Sequence, residues 1–139
     1  MLNLIDEVPL HTGWGRVYQS GELASLDWKD DGLILSASGN LNFQGPCLWF
    51  YMADNDLSVL PEKRLFAVTA TAIQFLSRGF DVLIHCNEGK YRSTYIDVAV
   101  HMAAGMGFVE SFQLVKTRHS IADLRVGTLA QLKELQPHD

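Results

Sequence analysis

The sequence has little cysteine, no long apolar run and no excess of positive charge, and each shortage excludes a class of protein. Cysteine occurs only at Cys47 and Cys86, without a Cys-x-x-Cys pair, so neither a disulfide framework nor a four-cysteine zinc site is expected. The longest apolar stretch, residues 98–106, is interrupted by His101 and falls short of the roughly 20 residues that span a bilayer. The 11 Lys and Arg residues are outnumbered by 16 Asp and Glu residues, which disfavours general nucleic-acid binding.

The chain also lacks repeats, low-complexity tracts and a linker rich in Pro, Gly or Ser. We therefore expect residues 1–139 to form a single domain. The N-terminal residues have neither the basic segment nor the long apolar segment of a secretory signal, which favours a cytoplasmic location. We expect a monomer with no membrane span and no nucleic-acid partner.

Short apolar or aromatic runs alternate with segments of helical spacing. The pattern predicts strands at 16–21, 33–36, 48–53 and 82–85, and helices at about 22–29, 61–78, 93–106, 108–117 and 123–135. Residues 82–85 are almost wholly apolar, as in a strand buried on both faces, so we place this strand at the centre of the sheet. The alternation predicts an α/β fold, a three-layer domain whose central, mostly parallel sheet of four to five strands is flanked by helices.

The residues that suggest chemistry follow the predicted central strand. Cys86 comes directly after this strand, Arg92 follows six positions later, and a predicted helix begins at Ser93. A loop bent between a strand and a helix can turn its backbone N–H groups inward, and the helix N-terminus adds positive charge in the same direction. The segment therefore predicts a cradle for an oxyanion, in a field that favours the thiolate form of Cys86.

Each residue type in the loop suits a phosphoryl group. Arg92 offers a planar fork that can hold two equatorial oxygens, and Gly89 permits a tight backbone bend. Ser93 can hydrogen-bond to the cysteine sulfur and make it a better leaving group. His85 is assigned to orienting the loop rather than to proton transfer. The other residues predicted to line the substrate are Asn87, Glu88, Lys90 and Tyr91.

The run from Val82 to Thr94 resembles the His-Cys-x5-Arg-Ser/Thr signature of the cysteine-dependent protein tyrosine phosphatases, and the short chain resembles their dual-specificity branch. Only residues 82–94 match at motif strength, whereas the order of elements agrees from about 16 to 135. The resemblance implies a protonated aspartate about thirty positions before the cysteine. Asp54 and Asp56 lie 32 and 30 positions before Cys86. We favour Asp54, because its Asp-Asn pair follows the aromatic strand as the family's acid loop does, although spacing leaves both open.

The resemblance implies a two-step hydrolysis of phosphomonoesters that needs no metal and no cofactor. Cys86 attacks phosphorus in line while the aspartic acid protonates the departing oxygen, and the same carboxylate then activates water against the thiophosphate. The expected substrates are proteins bearing phosphotyrosine, phosphoserine or phosphothreonine, or another small phosphorylated molecule. Lys90 resembles loops that act on inositol phosphates or phosphoinositides, so this alternative stays open.

The sequence leaves two further functions open. A pseudophosphatase would keep the phosphate cradle but turn over poorly, which requires an acid loop that does not reach the site. A rhodanese-like sulfurtransferase also places a cysteine loop after a strand, but a Cys-x5-Arg-Ser loop is not its expected form.

Residues outside the motif are given mainly structural roles. We predict that the segment Asp123–Arg125 begins a helix with local ion pairing rather than forming a rim that contacts substrate. Cys47 is interpreted as a plain small residue, with pairing to Cys86 under oxidation as the alternative. His101 and His119 show no metal-ligand spacing and are expected to be structural or solvated.

Overall fold

The computed structural model describes residues 13–25, 28, 32–38 and 45–135. Its four strands are β1 (Val17–Ser20), β2 (Leu33–Ser36), β3 (Cys47–Trp49) and β4 (Val82–His85), which pair in parallel in the order β1-β4-β2-β3. Its helices are α1 (Glu22–Ser25), α2 (Glu62–Ser77), α3 (Arg92–Ala103), α4 (Phe108–Arg118) and α5 (Val126–Leu135). The predicted α/β class with a parallel sheet flanked by helices is confirmed.

Strand β4 lies inside the sheet, between β1 and β2, and all four of its residues are buried. Its apolar sequence therefore predicted its place correctly. The register pairs both Ser20 and Ser36 with His85, so three strands end at the same edge of the sheet. Ligands of parallel α/β sheets bind outside this carboxyl edge, and Cys86 is the first residue beyond it.

Helix α3, which follows the cysteine loop, is held by packing on several sides. It contacts β1, β4, α2, α4 and α5. Its residues from Ser93 to His101 are all buried, which agrees with an apolar pattern that extends nearly all round the helix. Helix α2 instead buries one stripe, formed by Leu65, Val68, Thr69, Ala72 and Leu76. The N-terminus of α3 is thus fixed in the core.

The strand predicted at 48–53 is wrong in its length. Strand β3 ends at Trp49, which pairs with Ser36, the last residue of β2. One more bond follows, from Phe50 N–H to Ser36 O at 3.1 Å. The described residues show no pairing of β2 with β3 beyond Ser36 and Trp49, and residues 50–53 form an irregular segment that leads to Asp54.

Several helix ends also differ from the predictions. Helix α3 ends at Ala103 instead of 106, and Gly105 beyond it has a φ of +112°. Helix α5 begins at Val126, three residues after the predicted start. The helix predicted at 22–29 is observed at Glu22–Ser25, and residues 26, 27 and 29 lie outside the described residues.

Candidate active site

Cys86 is the centre of the candidate site. Its side chain is only 2% exposed, and its Sγ lies 3.3 Å from Oγ of Ser93 in the first turn of α3. A hydroxyl at this distance can donate a hydrogen bond to a thiolate and so stabilise the anion. The structure thus brings the cysteine, the serine hydroxyl and the N-terminus of a buried helix together.

The carbonyl groups of the loop are bound by elements around it. Glu22 N–H donates to Asn87 O at 3.0 Å, His119 Nε2 to Gly89 O at 2.6 Å, and Asp123 N–H to Lys90 O at 3.0 Å. In a planar trans peptide the C=O and the following N–H point in opposite directions. The N–H groups of residues 88, 90 and 91 therefore point away from these partners, an arrangement that suits an anion on the other side of the loop.

Gly89 occupies the tightest point of the loop. Its φ is +74°, and a Cβ there would lie 2.6 Å from Gly21 N, just beyond β1. Only glycine adopts such a conformation without strain and leaves room for that approach. Of its neighbours, Asn87 and Glu88 are exposed, while Lys90 and Tyr91 are half-buried.

Arg92 links the loop of residues 86–92, which is the candidate phosphate loop, to the segments that follow β2 and β3. Its Nη1 donates to Ala37 O at 2.8 Å and to Met52 O at 3.3 Å. Its buried Nε has no partner among the described residues. A buried N–H without an acceptor is destabilising, and a phosphoryl oxygen is an acceptor that would satisfy it.

The two candidate acids lie on a short turn after β3. The side chain of Asn55 closes this turn, since its Oδ1 accepts the N–H groups of Leu57 at 3.1 Å and Ser58 at 2.9 Å. The side chain of Asp54 is 33% exposed, whereas that of Asp56 is 72% exposed. Asp54 is therefore the more sheltered carboxyl.

Arg125 contacts both candidate acids. Its Nη2 and Nε lie 3.1 and 3.3 Å from Asp54 Oδ1, and its Nη1 lies 3.1 Å from Asp56 Oδ1. The guanidinium carbon also lies 3.8 Å from the centroid of the Tyr91 ring. The prediction of local pairing is therefore wrong for Arg125, whose carboxylate partners lie 71 and 69 positions away. This arginine therefore joins the turn that carries Asp54 and Asp56, called here the acid-bearing turn, to Tyr91 of the loop that follows Cys86.

The same turn docks on the start of α5 through its backbone. Gly127 N–H donates to Asp56 O at 2.7 Å. A Cβ at Gly127 would lie 2.8 Å from Leu57 O, so the approach requires glycine. Both the backbone and the Arg125 side chain thus fix the turn against the α4–α5 connection.

His85 lies directly before the cysteine and is fully buried. Burial disfavours the charged imidazolium and lowers the pKa of His85 to about 4, although a backbone hydrogen bond at Cys86 acts in the opposite direction. The ring is therefore neutral near pH 7. A neutral imidazole in this position suits orientation of the loop and not general acid catalysis.

Sequence reasoning missed two buried polar residues that contact the loop from outside. His119, expected to be structural or solvated, is buried and donates to Gly89 O. Gln19 on β1 is fully buried, and its Nε2 lies 2.9 Å from Ser93 Oγ. An amide in a strand beside the buried central strand was a signal that could have identified Gln19.

The alternative of a Cys47–Cys86 disulfide does not fit the sheet. Cys47 is exposed on β3, and β2 lies between β3 and β4. Two strand spacings amount to about 10 Å, which exceeds the Cα separation of about 7 Å that a disulfide tolerates. Both thiols are free.

The described residues contain no group of three or more His, Cys, Asp or Glu side chains that could hold a metal ion. Within the same ranges, no helix has the length and apolar character needed to cross a membrane.

Among known proteins, the chain is similar in fold to several solved structures. No protein-family model and no curated protein sequence matches it. Human DUSP28 superimposes with a TM-score of 0.76 at 17% identity, over 94% of this chain and 95% of that one. The human tyrosine phosphatase-like serine/threonine/tyrosine-interacting protein gives 0.74 at 20% identity, over 90% and 91%. PTPMT1 in complex with PI(5)P gives 0.70 at 16% identity, over 89% and 92%. The chain therefore has the fold of the dual-specificity phosphatases, and its resemblance to the cysteine-dependent protein tyrosine phosphatases is confirmed at the level of fold.

Proposed function

We propose that this protein is a cysteine-dependent phosphatase that hydrolyses phosphomonoesters. The observation that carries the proposal is the position of Cys86 Sγ, buried at the carboxyl edge of the sheet and 3.3 Å from the hydroxyl of Ser93. The buried Nε of Arg92 supports it, because this donor has no partner within the described part of the chain and is available to a phosphoryl oxygen. A nucleophile and donors for an oxyanion are thus supplied by eight consecutive residues, 86–93.

The proposed reaction has two steps. In the first, the Cys86 thiolate attacks phosphorus, the bond to the leaving oxygen breaks, and Asp54 in its acid form protonates that oxygen. In the second, water attacks the thiophosphate, the Asp54 carboxylate takes its proton, and the P–S bond breaks. Ser93 donates a hydrogen bond to the departing sulfur, while Arg92 and the loop N–H groups hold the phosphoryl oxygens. Asp54 is assigned in preference to Asp56 because it is the more sheltered.

The proposed substrates are proteins bearing phosphotyrosine, phosphoserine or phosphothreonine. Inositol phosphates or phosphoinositides are the alternative, which Lys90 supports. Its Nζ lies 4.9 Å from the centroid of the Tyr91 ring and adds a cation beside the loop. One structure of similar fold, PTPMT1, is in complex with PI(5)P.

A second candidate function is phosphate binding without efficient turnover. The observation in its favour is the pairing of both candidate acids with Arg125. A carboxyl group whose oxygen is held by a guanidinium is tied to that partner, whereas a general acid must bring a proton to the leaving oxygen. A pseudophosphatase results if this pairing persists when substrate is bound.

The test is the pH dependence of aryl phosphate hydrolysis without added metal. We expect Cys86→Ser to abolish turnover, while Cys47→Ser, which removes the exposed thiol, keeps the wild-type rate. We expect Asp54→Asn to lower kcat about 10²- to 10⁴-fold and to remove the basic limb of the profile, with a smaller effect of Asp56→Asn. Wild-type turnover by Cys86→Ser would refute the phosphatase proposal. A wild type that binds vanadate through Cys86 but does not turn over would establish the second candidate.

A further inference from the structure

A buried amide lies beside the phosphate loop on a strand that contributes no predicted site residue. Gln19 is the third residue of β1, is fully buried and pairs with Ile84 of β4. Its Nε2 lies within hydrogen-bond distance of three oxygen atoms. These are Thr94 Oγ1 at 2.8 Å, Ser93 Oγ at 2.9 Å and Gly89 O at 3.2 Å.

The neighbours of this amide require its nitrogen, and not its oxygen, to face the loop. Gly89 O is a carbonyl and can only accept. Thr94 donates its single hydroxyl proton to Lys90 O at 2.6 Å, so its oxygen must also act as an acceptor toward Gln19. An amide oxygen placed here would meet two acceptors, whereas an NH2 group has two protons to donate. These go to the two nearer oxygens, Thr94 Oγ1 and Ser93 Oγ, because Gly89 O is farther away and already accepts from His119 Nε2 at 2.6 Å.

The amide in turn determines the direction of the Ser93 hydroxyl proton. Ser93 Oγ accepts a hydrogen bond from Gln19 Nε2, and its other polar neighbour is Cys86 Sγ at 3.3 Å. A Cys86 thiolate has no proton to donate, so the single proton of Ser93 is then directed to the sulfur. Accepting one hydrogen bond also polarises a hydroxyl and strengthens the bond that it donates.

We propose that Gln19 is a positioning residue of the active site, which orients the Ser93 hydroxyl so that its proton points at Cys86 Sγ. This inference rests on the proposed function. Gln19 touches neither phosphate nor sulfur and acts through Ser93. The oriented proton stabilises the thiolate before attack and again when the sulfur leaves phosphorus.

A purely structural role explains the amide poorly. Gln19 Oε1 is buried and has no hydrogen-bond partner among the described residues. A buried acceptor without a donor is destabilising, whereas an apolar side chain of similar size has no such group. Methionine would lose the contacts of Nε2, but Gly89 O keeps its bond from His119, and Thr94 Oγ1 keeps its bond to Lys90 O, so the fold does not depend on the amide at these two atoms. The orientation of Ser93 is what methionine cannot supply.

The experiment measures the pH midpoint of Cys86 alkylation by iodoacetamide, in a Cys47→Ser background so that Cys86 is the only cysteine. We expect Gln19→Glu to raise this midpoint by about one unit, which is about tenfold less thiolate on the acid side. In this variant an oxygen replaces the NH2 group, so the Ser93 hydroxyl donates its proton to that oxygen in place of the sulfur. Gln19→Met leaves the hydroxyl free to rotate, so a smaller rise is expected, with thermal stability equal to or above that of the parent.

A double-mutant comparison separates positioning from general support of the loop. Because Gln19 acts through Ser93, adding Gln19→Met to Ser93→Ala should cause no further change in the alkylation midpoint. In turnover, Gln19→Met should lower kcat with little change in KM, since Arg92 and the loop still bind phosphate. Additive shifts of the midpoint, or wild-type midpoints in both Gln19 variants, would overturn the proposal. Alkylation needs no turnover, so failure of the phosphatase proposal would be seen separately, as absent hydrolysis by a protein whose alkylation responds as expected.

Discussion

Acidification should weaken the fold through His85, the last residue of β4. This side chain is fully buried, and burial lowers the pKa of His85 from 6.5 to about 4, with a backbone hydrogen bond at Cys86 acting in the opposite direction. In the unfolded chain the imidazole takes up a proton near pH 6.5, whereas in the folded chain it stays neutral until about pH 4. The contribution of neutral His85 to the free energy of unfolding is therefore complete above pH 6.5 and is lost as the pH falls toward 4.

The lowered pKa gives the size of the effect. A difference of about 2.5 pKa units, at 1.36 kcal/mol per unit, corresponds to a loss of about 3 kcal/mol once the pH is below 4. About 2 kcal/mol of this is already lost at pH 5. Such a loss is a large fraction of the roughly 5–15 kcal/mol by which domains are stable.

The assay compares urea unfolding of the wild type and His85→Gln at pH 7.5, 6 and 5. Glutamine does not titrate, so the wild type should lose about 2 kcal/mol more than the variant between pH 7.5 and 5. Burial lowers the pKa of another buried histidine, His101, but nearby Asp97 outweighs it and leaves this pKa raised. Its contribution is therefore complete below about pH 6.5 and is lost as the pH rises through the raised value. Both proteins share that contribution, so it cancels in the difference.

Two results would refute the reasoning about His85. Parallel stability curves for the wild type and the variant would show that protonation of this imidazole carries no folding penalty. The second result needs no variant: an NMR titration of the wild type in which the His85 ring protonates near pH 6.5 would contradict its burial as a neutral group.

Two further substitutions test the neighbourhood of the loop. Arg125→Met removes the guanidinium that joins Asp54 and Asp56 to the Tyr91 ring, so kcat for aryl phosphate hydrolysis should fall while vanadate affinity changes little. Arg125→Lys should restore only part of the rate, because lysine lacks the planar fork. A rise in kcat for Arg125→Met would instead show that the pairing restrains the acid. Gly89→Ala places a Cβ 2.6 Å from backbone at a φ of +74°, and should abolish vanadate binding and lower stability by more than about 1 kcal/mol. Gly105→Ala is its control, since φ there is +112° but nothing lies within 4 Å, and equal losses in the two variants would contradict the steric argument.

The acid-bearing turn shows how far spacing alone can lead. The resemblance to the phosphatase family predicts an acid about thirty positions before Cys86, which fits Asp54 and Asp56, but the predicted end of the preceding strand is wrong by four residues. Strand β3 stops at Trp49 because its neighbour β2 stops at Ser36, which is a property of the pairing and not of the residues in 50–53. The choice between the two carboxyls rests on their exposure, and exposure follows from the docking of the turn on α5.

The sequence by itself determined the strand, the cysteine loop and the helix at 82–94, together with the α/β class. These features are local, because a buried strand, a tight turn and a buried helix each leave their pattern in a few neighbouring residues. The tertiary structure alone decided that Gln19 meets Ser93 across 74 positions and that His119 meets Gly89 across 30. It also decided that Arg125 pairs with Asp54 and not with a residue nearby. Such contacts arise because the parallel register brings β1, β2 and β4 to one edge of the sheet, and no periodicity within a single segment encodes which distant side chains meet there.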